Sequence, residues 1–304
     1  MCAGDVSKDM DTASLGRGDG PVVRHNHALV FVAAGHDVPG VDNGDILLVI
    51  GGSTHWAYLG DVWVFDLKTG SWTQMIPGGP GPVARHGHVA ALVGSTVVVF
   101  GGHSGMQSRP STLTYYNDVF SLDLTSWSWT RCATTLSTPR SWMGVAVVGA
   151  LVVVAGGYTF DVTARDEVYF DVIEAYDVAN DVFLSLPPDV TLASPRNRVC
   201  MASCASTIVI FGGNALLADR GDVFFSDIAV LDASSTCVSN WTLSVASPPT
   251  PPLKGRGHGL MLIAPAASTS SGAMAPLHVT VWGGERAGAR LFDTLDLVLS
   301  PHPI

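Results

Sequence analysis

The chain has 304 residues, 47% hydrophobic and 14% charged, with a formal net charge of −10 and a pI near 5.3. That much apolar material fills a sizeable core, and the acidic balance without any Lys/Arg cluster argues against a nucleic-acid-binding surface. The longest apolar stretch, Val145 to Ala155, is too short to span a bilayer. The first residues lack a signal-like apolar core, and the five cysteines are odd in number and scattered, so a reduced, cytoplasmic chain without a membrane or disulfide framework is expected.

In chain order, residues 7–16 come first and are poor strand material, rich in Asp, Ser and Thr. Beyond them, four features recur in fixed order. An arginine follows a Pro- or Gly-containing stretch: Arg24, Arg85, Arg140, Arg196 and Arg256. A β-branched strand then ends in paired glycines, at Gly51-Gly52, Gly101-Gly102, Gly156-Gly157, Gly212-Gly213 and Gly283-Gly284. Arginine and first glycine are 16 residues apart in the three middle repeats and 27 apart in the first and last. The outer two therefore carry longer hairpin loops, at 33–45 and 264–277. A third strand ends near an aspartate, as at Asp66, Asp123, Asp177 and Asp232, and a fourth opens on Trp72, Trp129, Phe183 or Trp241.

Each feature has a local cause. Alternation and β-branching specify strands, and no segment sustains a helical period. Paired glycines permit positive φ and close approach of another chain segment. The aspartates accept hydrogen bonds from the turns that follow them. The tryptophans are broad enough to fill a wedge between sheets. Four strands per unit, repeated end to end, predict one all-β domain of stacked sheets over residues 1–304.

The Gly-Gly strand ends, the Pro-Arg or Gly-x-Arg openings and the aromatic fourth strands resemble the kelch family of β-propellers, akin to the central domain of galactose oxidase. The resemblance covers about residues 21–300 and implies five four-stranded blades, fewer than the six or seven usual in the family. The last repeat ends after its third strand, which leads to the expectation that residues 7–16 complete it and close the ring. No partner domain such as a BTB module is expected alongside.

Strand direction places the loops after Gly-Gly and the loops entering each arginine on one face. That face holds the expected binding residues. Just after the repeat arginines lie His27, His88, Trp142, Arg198 and His258, which repeat symmetry places around the mouth of the central channel. The post-glycine loops add Arg109, Tyr116, Tyr158, Arg165 and Arg220. Arginine and aromatic side chains on one concave surface are characteristic of interface hot spots. In the kelch family this rim is where acidic peptide segments dock, so the resemblance implies a non-enzymatic interaction module with a protein partner, and Arg196-Asn197-Arg198 resembles the arginine-bearing segment used there. The repeat arginines themselves are expected to bond neighbouring blades.

Catalytic readings are weaker. His25-Asn26-His27 and His86-Gly87-His88, with His258 in a further repeat, suggest a metal site only if three histidines converge in the channel, and polar filling of its mouth is the simpler reading. Glu167 and Asp171 match the start of the iron-binding run of the plant specifier proteins, but Ala175 stands in place of its histidine. Cys200 and Cys204 are too far apart on one strand to share a metal. No metal, cofactor or catalytic residue is therefore assigned. The alternative is a sugar-acid mutarotase or isomerase with its site at the channel mouth, which needs a carboxylate and a histidine converging in one deep pocket.

Overall fold

The computed structural model describes residues 20–36, 38, 44–105, 112–217, 221–245, 260–265, 277–282, 285–286, 289–290 and 294–299. The expected closing strand at 7–16, the arginine of the last repeat and its Gly-Gly pair lie outside them.

The first sheet is β1 (Ala28–Val32), β2 (Ile46–Ser53), β3 (Tyr58–Asp66) and β4 (Ser71–Met75), antiparallel and in sequence order. The second repeat supplies β5 (Val89–Val93) and β6 (Thr96–Phe100), a small hairpin of β7 (His103–Ser104) and β8 (Thr114–Tyr115), then β9 (Val119–Asp123) and β10 (Ser128–Arg131). The third repeats this plan with β11 (Gly144–Val148), β12 (Leu151–Ala155), the hairpin β13 (Tyr158–Asp161) and β14 (Asp166–Tyr169), β15 (Ile173–Asp177) and β16 (Val182–Leu184). The fourth does so with β17 (Cys200–Cys204), β18 (Thr207–Phe211), the hairpin β19 (Asn214–Leu217) and β20 (Gly221–Phe224), β21 (Ile228–Asp232) and β22 (Thr242–Val245). A fifth sheet joins β23 (Leu260–Pro265), β24 (Leu277–Trp282) and β27 (Thr294–Leu299), with a short hairpin of β25 (Glu285–Arg286) and β26 (Ala289–Arg290).

The inner strands β1, β5, β11, β17 and β23 lie side by side in that order. The sheets thus radiate from a common centre, the arrangement of a kelch-type β-propeller. The core is a series of layers between blades. Val30, Val32 and Leu48 of the first sheet pack on Val97, Val99 and Trp129 of the second, and Ala146 and Val153 of the third pack on Ile208 and Trp241 of the fourth. Trp129 and Trp241 fill the outer part of each wedge, as their size predicts.

Blades are also stitched by the backbone. The second glycine of each pair donates to the carbonyl of the next repeat's arginine, Gly52 to Arg85, Gly102 to Arg140 and Gly157 to Arg196, each at 2.9 Å. Gly101 and Gly156 hold φ of 59° and 66°, and a Cβ on either would sit 2.5 Å from the oxygen of Arg140 or Arg196. Left-handed backbone and close approach both require glycine there. The turn aspartates act as expected. Asp66, Asp123, Asp177 and Asp232 accept from the N–H two residues on at 2.8, 2.7, 3.0 and 2.8 Å.

Candidate functional site

The repeat arginines are structural, but in a different way from the expected bond between blades. Each guanidinium binds its own sheet. Arg24 grips Asp61 at 2.5 and 2.9 Å, Arg85 grips Asp118 at 2.5 and 3.1 Å, and Arg196 reaches Asp227 at 2.5 Å. All three also donate to the carbonyl of the first paired glycine, Gly51, Gly101 or Gly212. In the third repeat Val172 occupies the acid's position, and Glu174, two residues on with a longer side chain, binds Arg140 instead. What crosses to the neighbouring blade is the arginine backbone: the carbonyls accept from the paired glycines, and the N–H groups of Arg85, Arg140 and Arg196 donate to Leu59, Tyr116 and Phe170 of the preceding repeat at 3.1, 3.1 and 3.0 Å.

Tyr116 belongs to this buried assembly. Its ring lies 4.0 Å from the Arg85 guanidinium carbon, and its hydroxyl bonds Ser104 at 2.7 Å. Phe225 covers Arg196 in the same way at 3.7 Å. Tyr116 therefore shields an ion pair and is not part of an open rim. Its neighbour Tyr115 is the one that turns toward the channel-mouth cluster.

The ring of residues following the arginines also needs a one-position correction. Trp142 and Arg198 stand two residues after their arginines, whereas His27 and His88 stand three after. The true equivalents of Trp142 and Arg198 are Asn26 and Gly87. All four hold left-handed φ: Asn26 53°, Gly87 63°, Trp142 53° and Arg198 56°. They pass one hydrogen bond from blade to blade, Gly87 N–H to the Asn26 carbonyl at 3.0 Å, Trp142 N–H to Gly87 at 2.7 Å, and Arg198 N–H to Trp142 at 2.7 Å. This ladder forms part of the channel mouth.

On the ladder stands an aromatic stack. Arg198 places its guanidinium carbon 4.3 Å from the Trp142 ring, and Trp142 stacks on Tyr158 at 5.1 Å, which stacks on Tyr169 at 5.7 Å. His103 meets the Trp142 ring edge-on at 5.7 Å and stacks on Tyr115 at 4.8 Å. His103 Nε2 shares a proton with His86 Nε2 at 2.7 Å, and His86 Nδ1 continues to the Ser53 hydroxyl at 2.8 Å. Side chains from four repeats thus meet on one face. Trp142 and Arg198 are half-buried, and Tyr158 is buried.

The histidines are held neutral. Burial, followed by the charge of His25, pushes His86 down to about 4. Burial and then His86 push His103 to about 3. His88 also falls to about 3, from burial first and Arg85 second. Burial raises Tyr158 to about 12, so its hydroxyl keeps its proton at neutral pH. Among the described residues no group of three His, Cys, Asp or Glu side chains is arranged to hold a metal.

Below the ladder lies a cavity of ≈ 220 Å³ between β1, β5 and β11, with His27 and His88 among its lining. Both expected histidines are therefore at the channel mouth, inside the cavity and not on the rim. Arg165 sits at the exposed tip of the β13–β14 hairpin with φ of 56°, apart from the stack. Arg109, Arg220 and His258 lie outside the described residues. One surface residue went unpredicted. Trp56 is 86% exposed, on a turn closed by Thr54 Oγ1, which accepts from the N–H of Trp56 at 3.1 Å and of Ala57 at 3.0 Å. Its signal was the short Thr-His-Trp-Ala link directly after a Gly-Gly pair.

A family model for the KLHDC2/KLHL20/DRC7 Kelch-repeats domain matches residues 7–213. The chain belongs to this kelch-repeat family. It is similar to Kelch domain-containing protein 3 of Bos taurus, 26% identical over 207 residues, which is 65% of this chain and 50% of the relative. Kelch domain-containing protein 1 of Mus musculus is 38% identical over 91 residues, 29% of this chain and 21% of that protein. Host cell factor of Drosophila melanogaster is 28% identical over 143 residues, 43% of this chain and 9% of that protein. The chain spans about half the length of the first of these relatives. Kelch repeats are in general protein-interaction modules.

Proposed function

We propose that this kelch propeller is a non-enzymatic interaction module working in the cytoplasm, and that the face carrying Arg198, Trp142, Tyr158 and Trp56 receives an acidic segment of a protein partner. The observation that carries this reading is the backbone at Trp142 and Arg198. Both are bulky residues at left-handed φ, where their counterparts are Asn26 and Gly87. A non-glycine side chain there costs roughly 1–2 kcal/mol, and such strain concentrates at functional positions. The strained pair stacks on itself and presents a guanidinium above an indole, a combination suited to carboxylate-bearing ligands.

The cavity beneath supports binding over catalysis. Its described lining combines two histidines, apolar side chains and an indole, a set suited to holding a side chain of a partner. The free thiols of Cys132, Cys204 and Cys237 fit a reducing compartment.

The test compares the wild type with the Trp142→Ala/Arg198→Ala double variant against an array of acidic peptides and in affinity capture followed by mass spectrometry. The expected result is loss of wild-type-specific binding with an unchanged melting transition. Equal capture by both proteins would remove this face as the interface.

A further inference from the structure

The cavity at the channel mouth has a polar character of its own. His88 Nε2 lies 3.0 Å from the Ile50 carbonyl. A carbonyl can only accept, so Nε2 carries the proton of the neutral ring and Nδ1 is a bare acceptor. His88 is 5% exposed, and among the described residues its Nδ1 has no hydrogen-bond partner; neither does the buried Nδ1 of His27 on the adjacent blade. A buried polar atom left unpaired in this way is costly, so both nitrogens favour an occupant that satisfies them.

The remaining walls narrow the chemistry. Leu29, Val89, Met143 and Val145 are apolar, Trp142 contributes an aromatic ring, and among the described residues no formally charged side chain lines the space. A carboxylate, phosphate or ammonium would enter without a counter-charge, at a large desolvation cost. The ≈ 220 Å³ volume is also below the about 300–1,000 Å³ of pockets for drug-sized ligands, which leaves room for one side chain and not a nucleotide.

We infer that this cavity takes the phenolic side chain of a partner tyrosine, its hydroxyl donating to His88 Nδ1 and its oxygen accepting from the Nδ1–H of His27. Phenol matches each wall: an apolar ring for the valines and Met143, a face for Trp142, one donor for the fixed acceptor, and an oxygen lone pair for His27 in its Nδ1–H tautomer. His27 is kept neutral by burial first and by Arg24 second, so a second uncharged imidazole completes the pair. This rests on the proposed partner-binding face and adds a second element to it, a tyrosine adjoining the acidic segment that meets Arg198.

The test uses the full chain and N-acetyl-L-tyrosinamide as probe, followed through the imidazole carbon-bound protons of His27 and His88 by NMR. Saturable shifts are expected at both rings. N-acetyl-phenylalaninamide and the O-methyl-tyrosine analogue, which cannot donate, are expected to bind at least about ten-fold more weakly, the equivalent of one lost buried hydrogen bond. His88→Phe should abolish the preference for a hydroxyl. Because that variant also loses the bond to Ile50, His27→Leu serves as a second variant, expected to weaken the tyrosine probe while leaving the phenylalanine probe unchanged. Equal binding of the three probes, or shifts at neither imidazole, would overturn the inference. If acidic peptides still bind through Trp142 and Arg198 while the tyrosine probe does not, only this inference falls. If neither binds, both fall.

Discussion

Arg85 and Asp118 show what a single residue pair does here. Their side chains are 3% and 13% exposed, and Tyr116 covers the guanidinium. Breaking one partner of such a buried pair leaves an uncompensated charge, so Asp118→Asn should lower unfolding free energy by about 3–5 kcal/mol in urea denaturation. The related Asp61 carries a pH signature. Burial alone would raise its carboxyl, but hydrogen bonds from Arg24 and Trp63 and the Arg24 charge outweigh burial and hold it below the ordinary value. A carboxylate depressed on folding stabilises the native state above its unfolded pKa, and that contribution fades as pH falls through the folded value. Stability should thus decline below about pH 4, and Asp61→Asn should flatten that part of the curve while lowering it throughout. The arginines were plain in the sequence. Their partners were not: the repeat pattern pointed to neighbouring blades, whereas Asp61, Asp118 and Asp227 lie in the arginine's own sheet, and Val172 breaks the series where Glu174 makes up for it from two residues away.

At the scale of the element, the Gly-Gly strand ends were the most legible signal, because positive φ and a neighbour's carbonyl at 2.5 Å leave no other residue type workable. Gly156→Ala combines a left-handed penalty with a clash against the Arg196 oxygen and should cost about 2–4 kcal/mol, measurable as a lowered urea midpoint. Gly149, with φ of 58° and nothing within 4 Å of a Cβ, pays only the backbone penalty, so Gly149→Ala should cost about 1 kcal/mol. The contrast between two glycines on flanking turns of β12 separates close approach from conformation. Harder to read was the offset after each arginine. His25-Asn26-His27 and His86-Gly87-His88 place a histidine on either side of the ladder position, so counting by residue type aligned His27 and His88 with Trp142 and Arg198. Backbone φ, absent from the sequence, sets the register.

For the molecule as a whole, fold class followed from the periodicity, whereas the site depended on contacts between distant repeats. The path from Ser53 through His86 and His103 to Trp142 and Arg198 joins four repeats, and no local pattern announces it. The histidines of the path, with His88 beside it, make stability pH-dependent in a second window. His86, His88 and His103 titrate near 6.5 when unfolded and at about 4, 3 and 3 when folded. The unfolded chain binds protons first, so stability present above pH 6.5 is lost as pH falls toward 4, by about 1.4 kcal/mol per pH unit for each imidazole. Thermal melts between pH 7 and 5 should show this loss, and His103→Asn should reduce its slope by about one third.

The backbone ladder from Asn26 to Arg198 has a consequence for change over time. Its bonds use only main-chain atoms, so the spacing of the described stations is set independently of which side chains decorate them. Asparagine, glycine, tryptophan and arginine all occupy equivalent stations on one backbone arc. A lineage could therefore rewrite what the opening recognises, one station after another, without renegotiating how the blades are joined.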